Sequence, residues 1–308
     1  MIAVIGDVMI DKYVFGTCDR ISQEAPVPIV KVDKIELRLG GAGNVANNIH
    51  TYGLSDVNLI SVVGNDYYGN MLKTLMPFNS RINYLKTRTT TVKERVICNN
   101  TQVCRVDTEN TEDVDVDFEA VLFNNIKTVN PDVLIISDYK KGIITNELIH
   151  KLIEYCKEND IFIIVDPKRE FGFYDCCDII TPNLKELCDG LKCEIPDLSK
   201  GTSELLPIIN EFFEKYCIDN LLLTLSEYGL VIANKEMMVH LESEVKDVRD
   251  VTGAGDTVVS VFASHVEKNR DFGSLVAAAK TANKAAGVVV SKLGTSTVKK
   301  DEINIDIH

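Results

Sequence analysis

Basic residues are in the minority in this chain: 33 Lys and Arg stand against 46 Asp and Glu, a formal net charge of −13. A basic face of the kind that meets nucleic acid or an anionic membrane is not expected from that balance. A phosphate ligand would have to find its positive field in a few placed Lys or Arg and in helix N-termini. No apolar run reaches the length of a membrane span, and Met1 leads straight into the apolar Ile2–Gly6 with no basic segment before it. Neither a membrane helix nor a signal peptide is therefore expected. The nine Cys form no C-x-x-C and no Cys/His cluster. That argues against a zinc module or a disulfide framework, and the expectation is reduced thiols in a cytoplasmic protein. A G-x-x-x-x-G-K-[ST] phosphate loop is missing too, as are repeats, low-complexity stretches and long linkers. With 45% hydrophobic residues over 308 positions, a large core is available, and we expect one domain spanning 1–308.

What is present is an alternation of short β-branched runs with helical patterns. The runs are Ile2–Gly6, Leu59–Gly64, Val133–Asp138, Ile161–Pro167, Asp178–Asn183 and Leu221–Ser226. Continuous apolar strands of this kind suit a parallel sheet covered on both faces. Helical segments at Gly43–Tyr52, Phe118–Val129, Asn146–Glu158, Glu204–Tyr216, Ala254–Lys268 and Ser274–Lys292 complete a doubly wound, mostly parallel α/β fold with helices on both faces. Two segments break the rhythm. Ile29–Leu39 alternates apolar and charged residues, and Thr89–Thr108 reads as a hairpin turning at Asn99-Asn100. They predict a small sheet, a lid of about 12–39 and 88–108. Ligands in open α/β sheets sit beyond the carboxyl ends of the strands. There the sequence gathers Asp7 and Asp11, Asp138–Lys141, Asp166–Lys168, Pro182-Asn183 and Thr224–Ser226.

Two glycine motifs open helices: Gly40-Gly41-Ala42-Gly43-Asn44 and Asp250-Val251-Thr252-Gly253-Ala254-Gly255-Asp256. Glycine lets backbone N–H groups approach a ligand closely, and the helix dipole adds positive potential. The first also fits G-x-G-x-x-A, a dinucleotide fingerprint, but it follows a charged, alternating strand and not a buried one. In the second, Gly253, Ala254 and Gly255 offer successive amide donors and Asp256 places a carboxylate in the first helical turn. That suits phosphoryl transfer to a hydroxyl; an aspartate favoured there by the helix dipole alone is the other reading.

The two motifs, in this order and about two hundred residues apart, resemble the signatures of the ribokinase-like (PfkB) sugar kinases, and the resemblance runs from Ile2 to about Thr297. Gly6–Tyr13, Arg20–Val30, Ser137–Gly142, Asp166–Lys168 and Lys292–Thr297 resemble more narrowly the bacterial heptose 7-phosphate kinases of lipopolysaccharide precursor synthesis. In many relatives this domain is fused to an adenylyltransferase. The chain ends at His308 without that domain's H-x-G-H motif, and so resembles the stand-alone kinase form. The resemblance implies ATP and Mg²⁺, with K⁺ as a further ion. It implies Asp256 as catalytic base with Gly253, Ala254 and Gly255 as anion hole, and Asp11, Gly41 and Asn44 on the sugar. Lys93, Arg95, Lys140 and Lys141 are candidate charges for the sugar's own phosphate, although surface Lys and Arg are more often simply solvated. Asn183, Lys185 and Glu186 match the family's N-x-x-E element near Mg²⁺ and the ATP phosphates; the same spacing is a helix capping box, and both readings can hold together. Thr224, Ser226, Gly229 and Asn283 are expected around ATP, and Asp250 with Thr252 around a monovalent cation. The partners expected are a sugar phosphate and ATP, with a homodimer through the lid. Another PfkB sugar or nucleoside kinase, a catalytically silent sugar- or nucleotide-binding regulator on the same fold and an NAD(P)-dependent oxidoreductase stand as rivals.

Overall fold

In a computed structural model, the protein is described over residues 1–303 apart from 54–55, 100, 244, 246–247, 267–269 and 293. Asn100 of the expected hairpin turn, Lys268 of the expected helix, Leu293 of the Lys292–Thr297 segment and His308 lie outside the described residues. The strands are β1 (Ile2–Gly6), β2 (Val8–Ile21), β3 (Pro28–Gly41), β4 (Val57–Gly64), β5 (Asn79–Leu85), β6 (Thr91–Cys98), β7 (Thr101–Thr108), β8 (Val133–Ser137), β9 (Phe162–Asp166), β10 (Ile179–Ile180), β11 (Asn220–Thr224), β12 (Leu230–Ala233) and β13 (Met238–Leu241). The helices are α1 (Ala42–Tyr52), α2 (Tyr67–Leu75), α3 (Val116–Val129), α4 (Asn146–Glu158), α5 (Leu184–Leu191), α6 (Leu206–Lys215), α7 (Ala254–His265), α8 (Phe272–Val290) and α9 (Lys300–Ile303).

Among the described residues, nine strands form the main sheet in the order β13-β12-β11-β10-β9-β8-β1-β4-β5. All neighbours from β11 to β5 run parallel; β12 and β13 add an antiparallel edge. The alternation of β1 shows why the strands read as unbroken apolar runs. Ile2 and Val4 pack with Ala46, Ile49, Val259, Phe262 and Ala278 from α1, α7 and α8 on one face. Ala3 and Ile5 pack with Leu122, Ile126, Leu148 and Leu152 from α3 and α4 on the other. Each such aliphatic side chain, fully buried, contributes about 1.5–3 kcal/mol of transfer free energy. Side-chain caps fix several helix starts: Asp115 accepts from Phe118 N, Thr145 from Leu148 N and Asp271 from Ser274 N.

A second sheet, β3-β2-β6-β7, forms the lid. β2 and β3 leave the main body as a long antiparallel pair, and β6 joins β2 in parallel. The lid therefore contains a strand, β2, that the expected boundary at residue 12 cut in two. The run at Asp178–Asn183 pairs as a strand only over Ile179–Ile180. Thr181 N and Thr224 N instead bond to Val165 O and Pro182 O, because the chain is turning there toward the cap of α5.

Candidate active site

Helices α1 and α7 lie side by side with their N-termini at the lid hinge, and buried polar contacts set their register. Ser260 Oγ donates to Val45 O (2.9 Å) and Thr257 Oγ1 to Asn48 Oδ1 (3.3 Å). Asn44 Nδ2 donates to Asp256 Oδ2 at 2.6 Å. Tyr139, in the loop after β8, donates its hydroxyl to the other oxygen, Asp256 Oδ1, at 2.7 Å. The carboxylate is thus held at both ends and is 7% exposed. Burial pushes Asp256 up to about 6, against the two hydrogen bonds, which favour the charged form; Asp11 adds to the rise and Lys93 opposes it.

Tyr139 is itself placed by Asp7, whose buried carboxylate accepts the N–H groups of Tyr139 (2.8 Å), Lys141 (3.1 Å) and Ile143 (3.3 Å). Burial, with Asp138 nearby, pushes Asp7 up to about 6 as well. The first glycine motif has a steric reason. Gly41 turns β3 into α1 at φ 57°, ψ −136°, and a Cβ there would sit 2.3 Å from Asp7 O. Both the backbone region and the contact exclude a side chain. Gly41→Ala is expected to lose at least about 2 kcal/mol of unfolding free energy. Urea denaturation checks it, and an unchanged midpoint would show that the turn relaxes freely.

Two adjoining cavities open beyond the carboxyl ends of the strands. One, of about 170 Å³, is lined by Asp138, Tyr139, Asp166, Lys168, Asn183, Glu186, Thr224, Gly253, Gly255 and Asp256. A Cβ on Gly255 would meet nothing within 4 Å, so the space above the start of α7 is open. The other, of about 310 Å³, shares Thr224 and Gly255 and continues along Ser226, Gly229, Val248, Val251, Val258, Asn283 and Val290. The first is polar and charged, the second largely apolar. Together they suit a ligand with an anionic end and a flat apolar end.

The model of the pfkB family carbohydrate kinases matches residues 1–302. The chain belongs to that family. It is similar to the bifunctional protein HldE of a Nitratiruptor species, 40% identical over 306 residues, covering 98% of this chain and 64% of the relative. It is likewise 38% identical over 309 residues to HldE of Campylobacter curvus, with 98% and 64% covered. The chain therefore spans less than two thirds of the length of these relatives. Among solved structures, phosphofructokinase-2 from Escherichia coli in complex with potassium superposes with a TM-score of 0.82 at 18% identity, covering 98% and 96% of the two chains. Ribokinase from Giardia lamblia gives 0.78 at 16%, covering 98% and 97%. At those identities the likeness shows the fold, and it is ribokinase-like.

In this member of the family the lid registers gather the cations that the sequence scattered. Asp11 lies beside Lys93 on one side and Arg38 on the other, and Tyr13 beside Arg95. Arg95 Nη1 meets Asp11 Oδ1 at 2.5 Å, with Asp11 only 4% exposed. Burial lowers the Lys93 ammonium, helped by Lys141 and Arg105 and opposed by Asp11. Lys140 is exposed at φ 56° and contributes its backbone N–H to Asp138 Oδ1. Its neighbour Lys141 is the one turned toward the lid, paired with Glu109 at 2.7 Å.

Asn183 and Glu186 form a complete capping box on α5: Asn183 Oδ1 accepts Glu186 N (2.8 Å), and Glu186 Oε2 accepts Asn183 N (3.0 Å). Glu186 Oε1 holds the Lys168 ammonium. Lys185 does not line either cavity; it is exposed on α5 and pairs with Asp189. Asn283 lines the apolar cavity, but its amide donates to Glu242 O (2.8 Å) and so ties down the segment after β13. Of the three amides of the second motif, Ala254 N is turned back to Val251 O at 3.2 Å. Asp250 accepts Thr252 N (2.9 Å) and Gly294 N (2.8 Å), which brings the anion loop and the 294–297 segment together. Tyr139, Lys168, Asp166 and Arg105 were not singled out for these places by sequence reasoning. For the first three, the Asp138–Lys141 and Asp166–Lys168 clusters at the strand ends were the available signal.

Proposed function

We propose that this kinase transfers the γ-phosphoryl group of ATP to the anomeric hydroxyl of D-glycero-β-D-manno-heptose 7-phosphate, giving the 1,7-bisphosphate. The observation that carries the reading is the placement of a buried carboxylate, Asp256, between an ATP-sized pair of cavities and a lid face bearing Lys93 and Arg95. The segments Arg20–Val30 and Lys292–Thr297 support the heptose, as do the HldE relatives matched over nearly all of this chain. Asp256 takes the hydroxyl proton as that oxygen attacks phosphorus in line. Asn44 orients the carboxylate, and Asp11, Gly41 and Asn44 meet the sugar. Lys93 and Arg95, with Arg105 and Lys141 close by, hold the 7-phosphate. Gly253 and Gly255 offer amides to the transferred group; Thr224, Ser226, Gly229 and the wall at Asn283 take the nucleoside.

Among the described residues no group of three or more side chains is placed to ligate a metal ion directly. The cavity nevertheless suits Mg²⁺ bound through water and phosphate oxygens. Burial, with the Asp256 and Glu186 carboxylates beside it, pushes Asp166 well above its usual range, a concentration of negative charge that a divalent cation relieves. Asn183 and Glu186 would face its waters, and bound Mg²⁺ supplies neutralisation of the phosphate charge. Asp250 and Thr252 are the corresponding choice for K⁺. Val32, Ile35 and Val106 are exposed on the lid face opposite the cations, and a second lid covering them gives the homodimer. Among the described residues no helix is long and apolar enough to cross a membrane.

Two consequences are measurable. Glu186→Gln keeps the cap, since Gln serves in a capping box, but loses the charge beside Lys168. A raised Mg²⁺ requirement is expected in a Mg²⁺ titration of activity, and a curve superimposable on wild type would leave Glu186 a purely structural role. The base works only when ionised, so kcat/KM should fall as pH drops through about 6. Tyr139→Phe removes a donor that favours the carboxylate, and the acid limb should move to higher pH. Asp11, Lys93, Asp166 and Lys168 also face this region and stay in place. A limb that does not move would deny Tyr139 a part in tuning the base.

A further inference from the structure

We propose that Cys176 and Cys217 form a thiol–disulfide exchange site at the edge of the sheet remote from the catalytic cleft, with low-molecular-weight disulfides as its substrate class. The two sulfurs lie 3.3 Å apart. Cys217 is exposed and Cys176 half-buried, so the pair is open to a small reagent. Cys176 stands just before β10 and Cys217 just before β11, at the amino ends of two neighbouring parallel strands. The cavities lie at the carboxyl ends.

The backbones of the two residues also meet. Cys176 N–H donates to Cys217 O, and Cys217 N–H donates to Asp175 Oδ1 at 3.1 Å. A disulfide needs Cα atoms about 4.4–6.8 Å apart, and the direct backbone contact makes the two residues close neighbours. The sulfurs have to close from 3.3 Å to the bond length of about 2.05 Å. Cys104 on β7 is exposed as well, and Cys18 and Cys193 are half-buried like Cys176, but each of those two faces a buried partner. Cys177 is fully buried, Cys188 is buried against Cys193, and Cys98 is buried in the lid against Cys18.

The chemistry balances with a disulfide oxidant such as oxidised glutathione. The thiolate of Cys217, the exposed partner, attacks one glutathione sulfur and releases a glutathione thiolate. The Cys176 thiolate then attacks Cys217 sulfur and releases the second. Two protein thiols lose two electrons and two protons, and one small disulfide becomes two thiols. The bridge closes the segment 176–217, which carries Asn183 and Glu186, from its far side. It should stabilise the fold by constraining the unfolded chain without entering the cleft.

The test incubates the reduced full chain with millimolar oxidised glutathione, counts thiols after denaturation and maps bridges by peptide mass spectrometry. Loss of two thiols to a 176–217 bridge is expected, out of nine in wild type and out of eight in Cys177→Ser, which removes the adjacent sulfur as a source of ambiguity. The bridge should raise Tm by about 3–10 °C, reversed by reductant and abolished in Cys217→Ser. Nine surviving thiols, a bridge at 188–193 or 18–98 in place of 176–217, or a Tm gain that persists in Cys217→Ser would overturn the assignment. None of these outcomes depends on the sugar the kinase uses.

Discussion

Asp256→Asn is expected to lower kcat at least about 10²-fold in a protein that still folds and still binds ATP. The side chain is nearly the same size, so the packing of α7 on α1 is preserved. The carboxylate's burial already raises it to about 6, and removing the charge relieves that penalty while the amide oxygen keeps one of the two donors, Asn44 or Tyr139. What Asn cannot do is accept the hydroxyl proton. Steady-state kinetics alongside calorimetric ATP binding separates the two effects. A folded variant with near-normal kcat would remove Asp256 as the base and with it the organisation of the site around that residue.

How much of this was legible beforehand depended on whether a signal was local. Strands such as β1 and β8 and helix α4 are local, since burial on both faces or on one helical stripe writes itself into consecutive residues. The glycines are local too, because the left-handed turn at Gly41 shows in the residue type itself, although the clash with Asp7 O that enforces it does not. The start of β2 was hidden for a physical reason. Val8–Ile10 is buried as deeply as β1, while Asp19–Ile21 is exposed, so no single period describes the strand. Strands β12 and β13 are only four residues each and gave too short a pattern. At the site, residues carrying a motif were readable, but Lys168 and Tyr139 act through partners 18 and 117 positions away. Such pairs are set by the order of strands in the sheet, which spacing along the chain does not reveal. Lys140 and Lys141 illustrate the limit: adjacent lysines are indistinguishable in sequence, and the left-handed turn at Lys140 decides which one faces the lid.

If the proposed substrate is right, the second large effect expected is a requirement for the sugar's own phosphate. Lys93 is partly desolvated, with Asp11 and Asp107 opposing Lys141 and Arg105 around it, and a sugar phosphate would add charge-assisted contacts to this group. Charge-assisted contacts of this kind contribute about 1.5–3 kcal/mol each. Unphosphorylated heptose should therefore show kcat/KM at least about 10²-fold below that of heptose 7-phosphate. Lys93→Met should narrow the gap by harming the phosphorylated sugar more than the free one. An equal loss for both sugars would mean that Lys93 supports the lid and does not read the phosphate.

The identity of the sugar is tested most directly by a coupled ADP-release assay. The panel is heptose 7-phosphate, heptose, sedoheptulose 7-phosphate, fructose 6-phosphate, ribose and adenosine, each with ATP and Mg²⁺. The highest kcat/KM is expected for heptose 7-phosphate. A higher value for fructose 6-phosphate, ribose or adenosine would contradict the assignment, as would a folded protein that releases no ADP with any of the six.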